Sequence, residues 1–272
     1  MTQLLIVTST VNPAHSSLAL VRVALEMGYE TRPIAPDSSE AIQLINGADK
    51  VIFRISAKNH PIYQQLLSKL QREKTALLRS YLDADDKIAS YAILEKAGVP
   101  QPRTEIGTLG SIGSSTDFPF VLKYPQGNRG LGVHLISSFE DMTPLAGMYG
   151  DTAQFLRQDF VKESSGRDKR LLVVGNRVVA SMTRTSSDGS FKANVSAGAT
   201  AATYVPTEEE CEIAVHACEA LGIPFAGVDI IDSYRGPLVL EVNPSPGFKI
   251  EDITGVNVVK EIIKYIMESN HD

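Results

Sequence analysis

The chain has 272 residues, of which 43% are hydrophobic, and its 26 basic and 32 acidic residues give a formal net charge of -6. This size allows a substantial core, in one large domain or in several smaller ones. The acidic balance, with no arginine- or lysine-rich run, argues against nucleic acid held by its phosphates. No apolar run approaches the roughly twenty residues of a membrane span. The two cysteines, Cys211 and Cys218, share one face of a predicted helix and cannot pair there, so we expect a soluble, cytoplasmic protein in a reducing compartment.

The N-terminal third alternates strands and helices. "LLIVTST" (4–10) predicts a first strand, and "SLALVRVALEMG" predicts a helix that ends at Gly28. "YETRPIAP" and "ADKVIFRIS" predict two further strands with a short helix between them. We therefore expect a small α/β domain with a parallel sheet over residues 1–84. No G-x-G-x-x-G follows the first strand, so a dinucleotide fingerprint is absent.

A second domain is expected over residues 85–156. "DADDKIASYAILEKAGVPQP" predicts one helix, capped by Asp83 or Asp85 and ended by Gly98 and Pro100. The stretch "FPFVLKYPQGNRGLGVHLIS" then predicts a strand, a glycine-rich turn and a second strand.

The third domain is expected over residues 157–272. "KRLLVVGNRVVASMTR" predicts a hairpin that turns at Gly175 and Asn176. "TEEECEIAVHACEALG" predicts an amphipathic helix with an acidic first turn. "FAGVDIIDSYRGPLVLEVN" predicts a second hairpin, with its turn at 234–236, and "VNVVKEIIKYIMES" predicts the last helix.

Polar residues interrupt the last predicted strand, "LVLEVN". We expect Glu241 and Asn243 to be buried on one face of it, with Asp229 of the outgoing strand opposite Glu241. Carboxylate and amide oxygens are the ligands that Mg²⁺ prefers, so the three side chains are a candidate metal site. The alternative is one buried acid bonded to the backbone and one acid exposed at the rim, since an unpaired buried carboxylate pair is costly.

The glycine-rich stretch "KYPQGNRGLG" is a candidate phosphate site. Lys123 ends the preceding strand, and Gly127, Gly130 and Gly132 leave the backbone free to approach an anion. No Lys-Ser/Thr follows the glycines, so this is not a Walker A loop, and a ligand-free hairpin turn is the alternative. Arg184, Lys192 and Asn194 are either contacts of an anionic substrate or plain surface residues.

In order, the segments "DDKIASYAILEKAGVPQP", "FVLKYPQGNRGLGV", "QDFVKESSGRDKRLLVVG", "AGVDII" and "LEVNPSPGFKIEDITGVNV" resemble an ATP-grasp ligase. The pattern is similar to the RimK-type (alpha-L-glutamate) ligases from about residue 84 to 266. The resemblance implies an α/β (α+β) ATP-grasp fold of three subdomains, with ATP held between the central lid and the C-terminal domain.

The resemblance also implies roles for particular residues. Lys87 and Lys123 would meet the phosphates or the adenine edge, 127–132 would be a mobile loop, 159–161 would frame adenine, and Asp168 would hold ribose. In full, the implied ATP-binding residues are Lys87, Lys123, Gly127, Asn128, Arg129, Gly130, Gly132, Gln158, Asp159, Phe160, Val161 and Asp168. The residues implied to bind two Mg²⁺ ions, with Mn²⁺ as an alternative, are Asp229, Glu241 and Asn243. Those implied to face the transferred phosphoryl group and the substrates are Arg170, Arg184, Lys192 and Asn194.

The implied reaction joins a carboxylate to an amine at the expense of ATP, through an acyl phosphate. The amine donor would be an amino acid, with glutamate favoured, and the acceptor a protein C-terminus, a peptide or a small molecule. Neither nucleic acid nor membrane is implied, and a homodimer or homotetramer is expected by analogy.

One position departs from the pattern of the family. Where RimK-type chains read Asn-x-x-Arg-Gly, this chain reads "NVSAG", with Ala197 in place of the arginine. Lys192 or Arg184 would have to replace that arginine, or the acceptor differs. The alternative is a nucleotide-binding regulatory or scaffold protein that has lost ligase turnover.

Overall fold

The computed structural model describes most of the chain. The described residues are 2–8, 13–55, 60–112, 117–126, 132–193 and 199–269. Several predicted site residues, namely Gly127, Asn128, Arg129, Gly130 and Asn194, lie outside these ranges, as does Ala197. No helix in the described ranges is long and apolar enough to cross a membrane. Cys211 and Cys218 are both free.

The N-terminal part is a parallel sheet of three strands in the order β2-β1-β3, as predicted. The strands are β1 (Gln3–Val7), β2 (Glu30–Ile34) and β3 (Lys50–Phe53). The helices around them are α1 (His15–Glu26), α2 (Ala41–Gly47), α3 (His60–Leu67) and α4 (Arg72–Asp85). Backbone bonds continue beyond the strands, from Thr8 to Ile34 and from Arg54 to Val7. Thr8 and Arg54 therefore lie side by side at the carboxyl edge of the sheet, where ligands of parallel sheets bind.

The prediction of one helix capped by Asp83 or Asp85 is wrong. Both residues lie in the last turn of α4, and a new helix, α5 (Lys87–Lys96), begins after Asp86. Asp86 has extended backbone, and its side chain accepts from the amides of Ile88 and Ala89 at 2.9 and 3.0 Å. An N-cap needs that backbone conformation, which a residue inside α4 does not have.

The central part is an antiparallel sheet of four strands in the order β4-β7-β5-β6. Its strands are β4 (Thr104–Thr108), β5 (Phe120–Lys123), β6 (Val133–Ile136) and β7 (Gln154–Asp159), and its helices are α6 (Leu109–Ile112) and α7 (Thr143–Tyr149). β5 and β6 form the predicted pair around the glycine-rich stretch. β7 crosses the predicted boundary at 156/157, so the domain limits stay a prediction and this strand belongs with the central sheet.

The C-terminal part is an antiparallel sheet of five strands in the order β10-β9-β8-β11-β12. Its strands are β8 (Arg167–Val174), β9 (Arg177–Thr185), β10 (Thr200–Thr203), β11 (Phe225–Ser233) and β12 (Gly236–Asn243). Its helices are α8 (Glu208–Leu221), α9 (Ile250–Thr254) and α10 (Val258–Glu268). Both hairpin turns and both long helices are where the sequence predicts them. Thr207 and Glu210 form a reciprocal capping box at the start of α8.

Two cores connect the N-terminal and C-terminal sheets. Leu171 and Val173 of β8 pack in one core with α8 and with Leu5 and Val7 of β1. The alternate residues of β8, Leu172 and Val174, pack in the second core with α10 and with residues 4 and 6 of β1. Residues 4–7 of β1 and residues 171–174 of β8 are buried on both faces, which explains why these stretches are apolar without a break. The central sheet has a separate core.

Candidate active site

A cleft of about 1150 Å³ lies where the three sheets meet. Residues from β5, β6 and β7 form one wall, residues from β8, β9, β11 and β12 form a second wall, and residues at the carboxyl edge of the N-terminal sheet also line the cleft. The predicted site residues that line it are Lys87, Lys123, Gln158, Asp159, Phe160, Val161, Asp168, Arg170, Arg184, Lys192, Asp229, Glu241 and Asn243. The cleft therefore brings together nearly all the described residues that the sequence singled out.

The β11–β12 hairpin pairs Asp229 with Glu241, as predicted, but only because of a β-bulge. From the turn back to Ile230 and Val239 the pairing is regular, and the register then shifts by one residue at Leu240. Without this extra residue Asp229 would face Leu240 instead. The bulge thus sets the two carboxylates on the same face of the sheet, at the cleft.

The expectation that Glu241 is buried is wrong. Glu241 is exposed to the cleft, and Asn243 is half-buried, while Asp229 is only 4% exposed. The reason is that β12 is the edge strand of its sheet and its end borders the open cleft. The burial matches the alternative of one buried acid and one acid at the rim, but the buried acid is bonded to arginine side chains and not to the backbone.

Asp229 is bound by two guanidinium groups. Arg170 donates from Nε and Nη2 to its two carboxylate oxygens, both at 2.7 Å. Nη2 of Arg184 lies 2.8 Å from Oδ2 of Asp229, and Arg184 also donates twice to Asp168 at 2.6 Å. Asp168 and Arg184 are direct cross-strand neighbours, as are Arg170 and Asp229. These four residues, which we call the ionic chain, form alternating charges along the floor of the cleft.

Burial and charge set the pKa values within the ionic chain in opposite directions. Burial raises the pKa of the Asp168 carboxyl to about 6, and the charge of Asp229 adds to this, against the effect of Arg184. Burial also raises the pKa of Asp229, but Arg170 and Arg184 outweigh it, so that pKa lies below its usual value. Since Asp229 has two guanidinium partners and Asp168 shares one, we expect Asp229 to hold the negative charge more firmly.

The side chains at this end of the cleft fit a hard cation in part. Glu241 presents its carboxylate to the cleft, and Oδ1 of Asn243, which accepts from the amide of Ser245 at 2.9 Å, keeps a second lone pair. Asp229 would have to release at least one arginine before its oxygens could bind a metal. Within the described ranges, no three His, Cys, Asp or Glu side chains form a ready metal cluster.

Lys123 links the two long walls of the cleft. Its side chain crosses from the end of β5 to the bulge, where Nζ donates to the carbonyl of Leu240 at 3.4 Å. The pKa of the Lys123 ammonium is lowered to about 8. Burial is the main cause and the nearby Lys87 adds to it, while Glu241 and Asp229 act in the opposite direction. A cationic group that is buried, near a second lysine and open to the cleft can neutralise an anion such as a phosphate.

Gly132 closes the glycine-rich stretch against Tyr124. Its φ is +72°, its carbonyl accepts from the Tyr124 amide at 2.7 Å, and a Cβ added there would lie 2.9 Å from the Tyr124 Cβ. Only glycine fits this position without displacement of its neighbour. The backbone amide of Lys87 donates to Pro125, so the start of α5 lies against the same stretch.

The end of β7, with Phe160 and Phe191, lines another part of the cleft. Gln158 is buried and donates to Thr104, while the amide of Asp159 donates to the Arg103 carbonyl at 2.9 Å. The ring of Phe160 meets that of Phe191 edge to face, with centroids 6.5 Å apart. Lys192 lies 5.4 Å above the Phe191 ring, and burial lowers its pKa.

Sequence reasoning missed the contribution of the N-terminal sheet. Thr8, Ser16, Ser17 and Arg54 all line the cleft, and Ser245 joins them from the loop after β12. The signal for Arg54 was a charged residue that directly follows the apolar strand "KVIF". It was overlooked because the N-terminal third was interpreted only as a pattern of strands and helices.

The fold and the cleft define a class of ATP-dependent ligase, and the comparisons agree. A family model described as "RimK-like ATP-grasp domain" matches residues 84–266. "Probable alpha-L-glutamate ligase" of Xanthomonas euvesicatoria is 37% identical over 242 residues, which cover 83% of this chain and 80% of that one. The protein of that name in Xylella fastidiosa is 40% identical over 203 residues, covering 71% and 65%. The crystal structure of a RimK domain ATP-grasp protein of Sphaerobacter thermophilus superposes with a TM-score of 0.73 at 19% identity, over 98% of this chain and 100% of that one.

The chain belongs to the RimK-like ATP-grasp family. It has the ATP-grasp fold and is an ADP-forming ligase that joins an acid to an amino acid. ATP is therefore a substrate, and Mg²⁺ is the metal typical of the family.

Proposed function

We propose that this ligase adds glutamate, or a related amino acid, to the carboxylate of a peptide, a protein C-terminus or a small acceptor. The observation that carries the proposal is the meeting of Lys123 with the bulge of β12, which sets cationic groups and the Glu241 carboxylate around one space. The names of the relatives support glutamate as the amino acid.

The triphosphate would lie between the central and C-terminal walls. Lys87 and Lys123 would neutralise its phosphates, and residues 158–161 would hold the base through the Phe160 ring and the backbone at the end of β7. Asp168 was expected to hold ribose, but its carboxylate is engaged by Arg184, so this contact requires the ionic chain to rearrange.

Glu241, Asn243 and, after release of an arginine, Asp229 would hold Mg²⁺, and we propose two ions with Mn²⁺ as a substitute. Bound there, the metal would neutralise the charge that develops on the transferred phosphoryl group. The side chains of this chain then position the reactants: Arg170 and Arg184 would turn from Asp229 to the anionic substrates, and Lys192 would approach from the opposite rim.

The reaction would proceed in two steps. An acceptor carboxylate oxygen attacks the γ-phosphorus of ATP, the bond to the β-phosphate oxygen breaks, and an acyl phosphate and ADP form. The amine of the amino acid then attacks the acyl carbon, phosphate leaves, and the amine gives up a proton. Catalysis would come mainly from positioning and charge neutralisation, with water excluded from the acyl phosphate.

The proposal is tested by ADP release with Mg-ATP across the twenty amino acids, each with and without an extract of small acceptors and peptides. We expect release that requires both glutamate and acceptor, and a product heavier than the acceptor by one or more glutamate residues. Release with a different amino acid would overturn the choice of glutamate. ATP binding with no release under any condition would favour the regulatory alternative, and restoring Ala197 to arginine would then be the next experiment.

A further inference from the structure

Arg54 is a buried cation at the end of the cleft formed by the N-terminal sheet. It follows β3, is 7% exposed and lines the cleft. Its Nη2 donates to Ser16 Oγ at 2.8 Å and to the carbonyls of Ser245 and Pro246 at 3.2 and 2.8 Å. The guanidinium carbon lies 5.4 Å above the Phe248 ring. One nitrogen and one face of the group are thus used to hold it in place.

The other two nitrogens of Arg54 have no partner in the described part of the chain. Nε and Nη1 are both buried and form no hydrogen bond there. The neighbouring stretches outside the described ranges, 9–12 and 56–59, read "STVN" and "SAKN" and contain no acidic residue. Burial lowers the pKa of the guanidinium to about 10, which still leaves it charged at neutral pH. A buried charge without a counter-ion is costly, so the arrangement indicates that an anion binds there.

A second feature points to the same place. The first turn of α1, a helix of 12 residues, lines the cleft beside Arg54 through Ser16 and Ser17. Its amino end carries a partial positive charge, which favours an anion. Thr8 is buried below it and donates to Ser17 Oγ at 3.1 Å.

The space beside Arg54 is close to Asn243 at the end of β12. Ser245 accepts from the Ile55 amide at 2.9 Å and donates from its own amide to Asn243 at 2.9 Å. Asn243 and Ser245 are two positions apart along the chain, so their Cα atoms are at most about 7 Å from each other. A molecule that binds Arg54 through one anionic group can therefore reach Asn243, a proposed metal ligand, with its other end.

We propose that Arg54 and the first turn of α1 form a carboxylate-binding subsite that orients a substrate through a carboxylate that does not react. This rests on the proposed function for the identity of the molecule. A carboxylate is favoured over an ATP phosphate because the lysines suited to phosphate, Lys87 and Lys123, gather where the end of β5 meets Leu240. Arg54 lies instead at the edge of the N-terminal sheet, bonded to Ser16, Ser245 and Pro246. Two sources share this chemistry: the amino acid, and an acceptor with a second carboxylate.

The test is a calorimetric titration of the enzyme saturated with Mg²⁺ and a non-hydrolysable ATP analogue. The probes are L-glutamate, L-glutamine, the α-amide of glutamate, glutarate and a short peptide ending in glutamate. The variants are Arg54→Gln, Arg54→Lys and, as a matched control, Arg22→Gln on the exposed side of α1. We expect Arg54→Gln to weaken binding of at least one carboxylate probe by about 10- to 100-fold, Arg54→Lys by less, and Arg22→Gln not at all.

The probes separate the two sources. If Arg54→Gln weakens binding of glutamate but not of its α-amide, the α-carboxylate of the amino acid binds at Arg54. If it weakens binding of glutamate but not of glutamine, the side-chain carboxylate binds there. If it weakens only binding of the peptide, the carboxylate belongs to the acceptor. If Arg54→Gln does not fold, an NMR titration of the wild-type protein is the substitute measurement. The Nε–H resonance of Arg54, assigned by its loss in Arg54→Lys, should then shift as a carboxylate probe is added.

The proposal is overturned if no carboxylate probe binds the wild type, or if Arg54→Gln folds and binds every probe as the wild type does. Because binding is measured without turnover, this outcome is distinct from a failure of ADP release, which would count against the proposed reaction alone.

Discussion

Asp229 and Glu241 face each other across the β11–β12 hairpin, yet their carboxylates have opposite environments. Asp229 is 4% exposed and bound by Arg170 and Arg184, whereas Glu241 is exposed to the cleft. One carboxylate is therefore part of the internal structure and the other is ready for a ligand. Their substitutions should consequently separate loss of stability from loss of function.

We expect Glu241→Gln to abolish most turnover and leave stability nearly unchanged. Glu241 is exposed, so its amide isostere removes no buried contact, but it would remove the charge that holds Mg²⁺. The rate of ADP release should fall at least 100-fold, about 2.7 kcal/mol in activation free energy, and Mg²⁺ should bind the nucleotide complex more weakly. Glu212→Gln, on the exposed side of α8, is the control. Unchanged Mg²⁺-dependent turnover in Glu241→Gln would contradict the metal assignment.

Asp229→Asn should destabilise the protein strongly. The substitution removes the carboxylate that Arg170 binds with two hydrogen bonds, and it leaves the buried Arg184 with Asp168 alone. Removal of one partner from a buried ion pair costs about 3 to 5 kcal/mol. Urea denaturation should show a fall of this size, with Glu241→Gln as the matched control on the paired strand. A fall below about 1 kcal/mol would mean that the arginines find other partners or solvent.

The sequence predicted the two hairpins because each is determined by residues that are close together in the chain. Alternating apolar residues, the Gly175–Asn176 turn and the turn before Gly236 determine β8, β9, β11 and β12. The capping box of α8 is likewise visible in the letters around Thr207. All of these elements depend on residues within a few positions of one another.

The arrangement inside the cleft depends on contacts between distant residues. The four members of the ionic chain were all singled out as ATP, metal or substrate residues, but only the register of three strands shows that they bind one another. The bulge at Leu240 shifts that register by one residue and has no glycine to reveal it. Arg54 was missed for the same reason, since its partners lie 38 to 192 residues away. The roles of the site residues and the expected dimer or tetramer stay predictions.

The raised pKa of Asp168 predicts a pH dependence of stability. Its folded pKa of about 6 lies above the ordinary 3.8, so between these two values the folded protein keeps a proton that the unfolded chain has released. This contribution is fully present below the unfolded pKa and is lost as pH rises through about 6, and it amounts to at most about 3 kcal/mol. The difference in unfolding free energy between wild type and Asp168→Asn should therefore decrease from pH 4.5 to pH 7. A difference that stays constant from pH 4.5 to pH 7 would show that the pKa of Asp168 is not raised in the folded protein.

The buried charge of Lys123 is expected to lower the stability of the folded protein and to strengthen its binding of the nucleotide. Its folded pKa of about 8 lies below the ordinary 10.5, so at pH 7 the folded protein bears the cost of a buried charge. Lys123→Met should raise the free energy of unfolding at pH 7 by up to about 3 kcal/mol, and this gain should shrink as pH rises from 8 towards 10.5, because the wild-type amine then loses its proton.

The same variant should lose affinity for the ATP analogue, and in the wild type that affinity should fall above pH 8 as the ammonium is neutralised. Lys264→Met, on the exposed side of α10, controls for a general effect of methionine. Urea denaturation and calorimetry provide the two measurements independently. A Lys123→Met protein that is less stable at pH 7 would show that the contact with Leu240 outweighs the cost of burial. One that still binds the analogue as the wild type does would remove Lys123 from the phosphate site.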